Sequence, residues 1–184
     1  MGSHLVLLAP PPARMTRKDP VLEAYQSELT YVFHALRWLG AHPSEVEDLA
    51  QEVFIALRRS WSHYDAGRPL RPYLFGVAFR VVSMQRRKRR REITFATLEI
   101  RDGGPGPDEA LQARQARALV LRALERVPLR RRAVLVMHDL DEAPMAEVAA
   151  ALSIPKFTAY SRLRKARTEL EAAIRRITRG ASEP

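Results

Sequence analysis

The sequence predicts an all-α protein made of two small helical domains joined by a flexible linker. Apolar residues recur at spacings of three and four along most of the chain, which places them on one face of a helix. No segment shows the sustained alternation of apolar and polar residues that a half-buried strand requires. Residues 103–107 are all glycine or proline, so we expect the chain to pass from one domain to the other there.

These breaks set the expected boundaries. Tails at 1–18 and 179–184 flank an N-terminal domain at 19–92, a linker at 93–114 and a C-terminal domain at 115–178.

The composition excludes several classes of protein. The chain has 184 residues, a formal net charge of +10 and no cysteine. Without cysteine there can be no disulfide, thiolate zinc site or iron–sulfur cluster. The early apolar run from Leu5 to Ala9 is far shorter than the roughly 20 residues that span a bilayer. We therefore expect a cytoplasmic protein that does not insert into membranes.

The N-terminal domain is expected to hold three helices. The first runs over 21–39 and stops at Gly40, and its apolar stripe consists of Leu22, Tyr25, Leu29, Val32, Phe33 and Leu36. Ser44 is expected to cap the second helix, with Glu47 completing a capping box. Glycine and proline break the chain within 61–72, and a third helix over 73–91 begins apolar and ends cationic.

The C-terminal domain is expected to hold four helices. Asp108 can cap the first helix, and the others are expected over 129–140, 145–152 and 156–178. Between the last two lies Ser153-Ile154-Pro155, a turn of the length that a helix-turn-helix requires. The core shared by these two helices is expected to consist of Val148, Leu152, Ile154, Ala159 and Leu163.

The basic residues fall in two groups. One is an unbroken run of cations from Arg86 to Arg91, and the other extends from Lys156 to Arg167 on the last helix. The segment 93–112 between them is acidic overall. This distribution favours two separate contacts with a polyanion, and the exposed face of the last helix carries the side-chain types that contact phosphates and base edges in a major groove.

Three motifs stand in a fixed order along the chain. The first is D-L-A-Q-E-V-F at 48–54, and the second joins Y-D at 64–65 to R-P-Y-L-F-G-V-A at 71–78 and the arginine run. The third joins V-P at 127–128 to I-P at 154–155 and S-R-L at 161–163. Together they resemble the bacterial RNA polymerase sigma factors of the small extracytoplasmic-function (ECF) group, over roughly 20–92 and 115–178. The expected domains are then similar to sigma region 2 and to the helix-turn-helix of sigma region 4.

The resemblance implies a transcription initiation factor that binds core RNA polymerase, recognises the promoter −35 and −10 elements and promotes melting. The residues implied for core polymerase are Asp48, Leu49, Gln51, Glu52 and Phe54. Those implied for the −10 element are Trp61, His63, Tyr64, Asp65, Arg68, Arg71, Tyr73, Arg80, Arg86, Arg87, Lys88 and Arg90. The resemblance implies that the loop within 62–72 reads a flipped base of the single strand and that the arginine run meets the duplex backbone just upstream. Those implied for the duplex −35 element are Lys156, Phe157, Thr158, Tyr160, Ser161, Arg162, Arg164 and Lys165. An anti-sigma factor is a further candidate partner, and no cofactor or metal is implied.

Elementary chemistry agrees with these assignments. Asp48, Gln51 and Glu52 share one helix face, which suits a basic partner surface. Opening a promoter requires unstacked bases to be held, and stacking on an aromatic side chain is worth about 1–3 kcal/mol per base. Arg80 and Ser153 stand where the family usually has asparagine and glycine, respectively.

Two other functions compete with the sigma-factor interpretation. A conventional helix-turn-helix regulator that binds duplex operators explains the C-terminal half, but it gives the Asp48 face and the cationic third helix no role. An enzyme is not expected, because the histidines are scattered and the chain lacks H-E-x-x-H, G-x-x-x-x-G-K-[ST] and G-x-S-x-G.

Overall fold

Three helices form the N-terminal part of the chain in a computed structural model that describes residues 19–93 and 111–180. They are α1 (Pro20–Trp38), α2 (Val46–Ser60) and α3 (Leu70–Ile93), and each packs against the other two. Asp19 caps α1 by accepting a hydrogen bond from the Val21 amide, and Gly40 follows its end with a φ of 84°. The predicted N-terminal tail, residues 94–110 of the predicted linker and residues 181–184 of the predicted C-terminal tail lie outside the described residues, while 179 and 180 belong to the last helix.

Two expectations about helix starts are wrong. Ser44 lies in a 3₁₀ turn (Pro43–Glu45), so α2 begins at Val46 with no side-chain cap and no capping box forms. The third helix starts earlier than expected, at Leu70, and Pro72 lies within its first turn. Proline is tolerated there because the first amides of a helix have no partner within the helix.

The apolar stripe expected for α1 is wrong at its beginning. Leu22 is 55% exposed and Tyr25 is 40% exposed. The residues of α1 that enter the core are Val21, Ala24, Val32, Ala35 and Leu36. Alanines therefore form part of the packing face of α1. The larger apolar residues near them in the sequence suggested a different face.

The C-terminal part holds four helices. They are α4 (Leu111–Glu125), α5 (Leu129–Leu135, continued by a π-helical turn over Val136–Leu140), α6 (Met145–Ala151) and α7 (Lys156–Gly180). The helix-turn-helix is confirmed as α6, a turn and α7, and Ser153 in the turn has a φ of 52°. Of the expected shared core, Ile154 is partly buried and the other four residues are buried.

The described residues contain no strand, and the all-α prediction is confirmed. The apolar residues of the two parts join in one continuous cluster rather than two. The parts meet where α3 packs on α6 and α1 packs on α4.

A buried arginine ties the two parts together at the end of α1. Arg132 is only 1% exposed, and its Nη1 donates to the Leu39 carbonyl oxygen at 3.0 Å. Arg86 Nη2 donates to the same oxygen at 2.9 Å, so two guanidinium groups meet at the negative end of the α1 dipole. Burial, together with the charge of Arg86, lowers the pKa of Arg132 to about 10.

We predict that Arg132→Ala lowers the free energy of unfolding by about 2–4 kcal/mol. The variant leaves a cavity and removes the hydrogen bond from Arg132 Nε to the Val127 carbonyl oxygen as well as the bond to Leu39. Urea denaturation of the full chain measures the change. The matched control is Arg130→Ala, a neighbouring exposed arginine, which should cost less than about 0.5 kcal/mol. Equal losses in both variants would show that Arg132 has no special structural role.

Candidate nucleic-acid interface

Three aromatic rings in tilted contact order the loop between α2 and α3. The ring centroids of Trp61 and Tyr64 lie 5.1 Å apart, and those of Tyr64 and Tyr73 also lie 5.1 Å apart. The Tyr64 hydroxyl donates to the Arg68 carbonyl oxygen at 2.6 Å, and the Tyr73 hydroxyl donates to the Ser60 carbonyl oxygen at 3.0 Å. All three rings are only partly buried, so they support the loop and still offer faces to a base.

The same loop forms one wall of a small cavity of about 180 Å³. Of the residues assigned to the −10 element, those that line it are His63, Tyr64, Asp65, Arg68, Tyr73 and Arg80. The opposite wall is α6 with the turn after it, through Glu147, Ala150, Ala151 and Ser153. Arg68 Nη2 lies 2.6 Å from Glu147 Oε2 across the cavity. Burial and the charge of Asp65 raise the pKa of Tyr64.

Arg71 does not join this group. It points to α1, where its Nε donates to Glu28 Oε2 at 2.9 Å and its guanidinium lies 5.2 Å from the centroid of the Tyr31 ring. The carboxylate of Glu28 raises the pKa of Arg71. In this arrangement Arg71 connects α3 to α1 and faces away from the cavity.

The arginine run is divided between structure and surface. Arg86 is half-buried and donates to the Leu39 carbonyl oxygen, while Arg89 forms an ion pair with Glu45. Arg87 and Lys88 are exposed. The side chain of Arg90 lies outside the described part of the structure.

The exposed face of α7 has the side chains that the sequence placed there. Phe157 is 84% exposed and Tyr160 is 58% exposed, which is unusual for large aromatic residues. Lys156, Arg164 and Lys165 are exposed as well. The other assigned residues of this face, Thr158, Ser161 and Arg162, are half-buried.

This face continues into a cationic cleft of about 780 Å³ between α3 and the C-terminal helices. The basic side chains that line it are Arg86, Arg87, Arg126, Arg130, Arg131, Arg132, Arg162 and Lys165, against a single carboxylate, Glu125. Burial lowers the pKa of Arg162, and the nearby charge of Arg130 lowers it further. The sequence analysis did not identify Arg126 and Arg130 as part of a basic surface. The cluster of arginines on both sides of Pro128 could have indicated it.

A separate surface of opposite charge lies on α2. Asp48, Gln51 and Glu52 are exposed and lie on one face of the helix. The two apolar residues assigned with them, Leu49 and Phe54, are 3% and 7% exposed and belong to the core. Sequence reasoning missed Ile55, which is 52% exposed beside the acidic residues and adds an apolar contact to this face.

Within residues 19–93 and 111–180, no group of His, Asp and Glu side chains is arranged to hold a metal ion. No helix in these ranges is long and apolar enough to cross a membrane.

Comparisons with known proteins agree with this architecture. The family model for sigma-70 region 2 matches residues 24–92, and the model for sigma-70 region 4 matches residues 110–170. The chain is 29% identical over 146 residues to the RNA polymerase sigma factor NccH of Alcaligenes xylosoxydans xylosoxydans, covering 76% of this chain and 78% of that protein. It is 23% identical over 167 residues to the ECF sigma factor SigW of Bacillus subtilis, covering 84% of this chain and 87% of SigW.

Two solved structures have the same fold. The sigma factor RpoE from Bartonella quintana, in complex with the anti-sigma factor NepR, superposes with a TM-score of 0.63 at 22% identity, over 83% of this chain and 98% of that one. CnrH, in complex with the cytosolic domain of CnrY, superposes with a TM-score of 0.57 at 22% identity, over 83% and 85% of the two chains.

A conventional operator-binding regulator is not favoured, because the region 2 match accounts for the N-terminal helices that such a regulator leaves without a role. The two sigma-70 regions together span most of the sequence, with region 2 in the N-terminal part and region 4 in the C-terminal part. The chain belongs to the sigma-70 family of RNA polymerase sigma factors, within the extracytoplasmic-function group, and its function is transcription initiation.

Proposed function

We propose that this sigma factor works through three separate surfaces. The acidic face of α2 binds core RNA polymerase, the loop between α2 and α3 holds the single-stranded −10 element, and the exposed face of α7 reads the duplex −35 element. The observation that carries the proposal is the separation of charge on one chain, with carboxylates on α2 and cations on α3 and α7.

The α2 face has the composition of a protein interface rather than of a nucleic-acid site. Carboxylates repel phosphates, so Asp48 and Glu52 suit a basic protein surface. Ile55 supplies an exposed apolar contact between charged neighbours, as interface centres commonly do. Leu49 and Phe54 act from the core, where they fix the helix that presents the polar residues.

The loop after α2 combines the groups that capture an unstacked base. Tyr64 and Tyr73 offer ring faces, while Arg68 and Arg80 offer positive charge around the same cavity. Base stacking and phosphate pairing together provide affinity for a single strand without a duplex groove. The exposed cations that follow on α3, Arg87 and Lys88, are placed to contact the adjoining duplex backbone.

The α7 face suits a major groove. Lys156, Arg164 and Lys165 can bind phosphates, and Ser161 can contact a base edge. The two exposed aromatic rings, Phe157 and Tyr160, add bulk at the centre of the face and favour an apolar contact such as a thymine methyl group.

The chain acts in the cytoplasm by binding, without a cofactor or a catalytic step of its own. An anti-sigma factor is a further partner. RpoE is bound to the anti-sigma factor NepR in its solved structure, and CnrH is bound to the cytosolic domain of CnrY.

Reversing two charges on α2 tests the polymerase surface. We expect Asp48→Lys with Glu52→Lys to weaken binding to core polymerase by about tenfold or more, because both changes oppose a basic partner surface. Co-migration and a binding titration with sigma-free core measure the effect. Glu23→Lys with Glu171→Lys makes the same change in net charge at exposed sites on α1 and α7, and it should leave binding unchanged. Equal binding by both double variants would contradict the assignment.

Removing two cations from α7 tests the duplex-binding face. The slope of the logarithm of the duplex-binding constant against the logarithm of salt concentration should fall in magnitude by about 2 in Arg164→Ala with Lys165→Ala. Each lost phosphate contact reduces that magnitude by about 0.9. Fluorescence anisotropy of the full chain across salt concentrations gives the slope. Arg176→Ala with Arg179→Ala removes the same charge from exposed sites at the far end of α7 and should change the slope little. If the two pairs had the same slope, the start of α7 would not be touching DNA.

A further inference from the structure

The cationic cleft beside α7 gathers positive charge from both parts of the chain. Arg86 and Arg87 line it from α3, while Arg126 and Arg130 are among the cations that line it from the C-terminal side. Among the described residues that line the cleft, Glu125 is the only carboxylate. Cations from separate elements therefore surround one concave space, and their potentials add within it, which favours an anion there.

Three arginines of the cleft have no carboxylate partner among the described residues. Arg131 does have one, because its Nε and Nη2 lie 2.8 Å and 2.6 Å from the two carboxylate oxygens of Glu169. In the described part of the chain, no carboxylate lies within ion-pair distance of Arg126, Arg130 or Arg162. These three cations are therefore available to a negatively charged ligand.

The cleft also has groups that suit phosphate oxygens and a planar ring. Ser83, Thr158 and Ser161 line it and carry hydroxyl donors. The first turn of α7, which starts at Lys156, borders the cleft and adds the positive end of a helix dipole. Phe157 lines the cleft and is 84% exposed, so a face of its ring is open to stacking.

The size of the cleft suits a small molecule. Its volume of about 780 Å³ falls within the roughly 300–1,000 Å³ that is typical of small-ligand sites. A linear polyphosphate concentrates several negative charges in a small volume, which complements guanidinium groups that come from two walls.

We propose that the cleft binds a small polyphosphate anion, either a nucleoside triphosphate or an inorganic chain, and that the bound anion competes with duplex DNA. Guanidinium groups from both walls bind the phosphates, and Phe157 stacks on the base when the ligand is a nucleotide. Arg162 and Lys165 line the cleft and also belong to the proposed −35 face, so one set of cations serves both ligands. The competition rests on the proposed function of α7, whereas binding of the anion does not.

Two double variants separate the cleft from the general positive charge of the chain. Arg126→Ala with Arg130→Ala removes two exposed cations from the cleft. Arg122→Ala with Arg176→Ala is the matched control, because it removes the same charge from exposed positions that do not line the cleft. Changes at exposed positions cost little stability, so both double variants should fold. Phe157→Ala is a third variant, which tests stacking alone.

The experiment combines calorimetry with a competition measurement. Isothermal titration calorimetry of the full chain measures binding of ATP, inorganic tripolyphosphate and orthophosphate. Fluorescence anisotropy measures whether each anion displaces a labelled random-sequence duplex. Both measurements are made at constant ionic strength, so that a general effect of salt on duplex binding is not mistaken for competition.

We expect the wild type to bind a single ATP and to bind orthophosphate at least about tenfold more weakly, because orthophosphate reaches fewer of the cations. Arg126→Ala with Arg130→Ala should weaken binding of ATP and of tripolyphosphate by about tenfold or more, and the control should change it little. If Phe157→Ala weakens binding of ATP alone, the ligand is a nucleotide. If ATP and tripolyphosphate bind equally and Phe157→Ala changes neither, the ligand is an inorganic chain.

Two results would overturn the inference. Binding that does not saturate, or equal losses in the two double variants, would show only a general attraction of anions to a basic protein. Saturable binding that leaves the duplex in place would overturn the competition. A failure of the proposed α7 face is detected separately, because the salt slope of Arg164→Ala with Lys165→Ala is measured without polyphosphate.

Discussion

The carbonyl group of Leu39 fixes how the two helical parts of this sigma factor meet. It ends α1 and accepts hydrogen bonds from Arg86 of the N-terminal part and Arg132 of the C-terminal part. Two cations can share this oxygen because it lies at the negative end of a helix dipole, and Gly40 leaves room for both guanidinium groups. With this corner held, α3 and α6 come into backbone contact at Gly76, and α6 comes to lie over the loop that follows α2.

Opposite charges on separate helices explain how one small chain can engage both protein and DNA. The carboxylates of α2 do not line the cationic cleft, so on the proposed assignment a basic protein and a polyanion do not compete for one surface. The like charges that line the cleft repel each other, and burial together with the charge of Arg130 lowers the pKa of Arg162. A DNA backbone bound there would relieve that repulsion and would release counterions, which gives the binding its salt dependence.

Local signals in the sequence predicted the helices and the helix-turn-helix, because apolar spacing and turn residues act over a few positions. Ser153 lies in the predicted turn with a left-handed backbone, at the position where the family usually has glycine. Contacts between distant residues could not be predicted in this way. Arg68 with Glu147 and Tyr31 with Asp141 depend on how whole helices are placed, and Gly76 reads only as one more small residue in an apolar run. Leu49 and Phe54 show the same limit, because the motif that contains them does not reveal which of its members are buried.

Reconstitution of the full chain with sigma-free core RNA polymerase tests directly whether the chain initiates transcription. Transcription initiation is measured on a library of promoter-sized duplexes, with core alone as the reference. We expect a stable complex that initiates from a selected subset of duplexes sharing two elements at a fixed separation. Tight duplex binding by the chain alone, without association with core and without initiation, would contradict it and reduce the acidic face of α2 to an ordinary solvated surface.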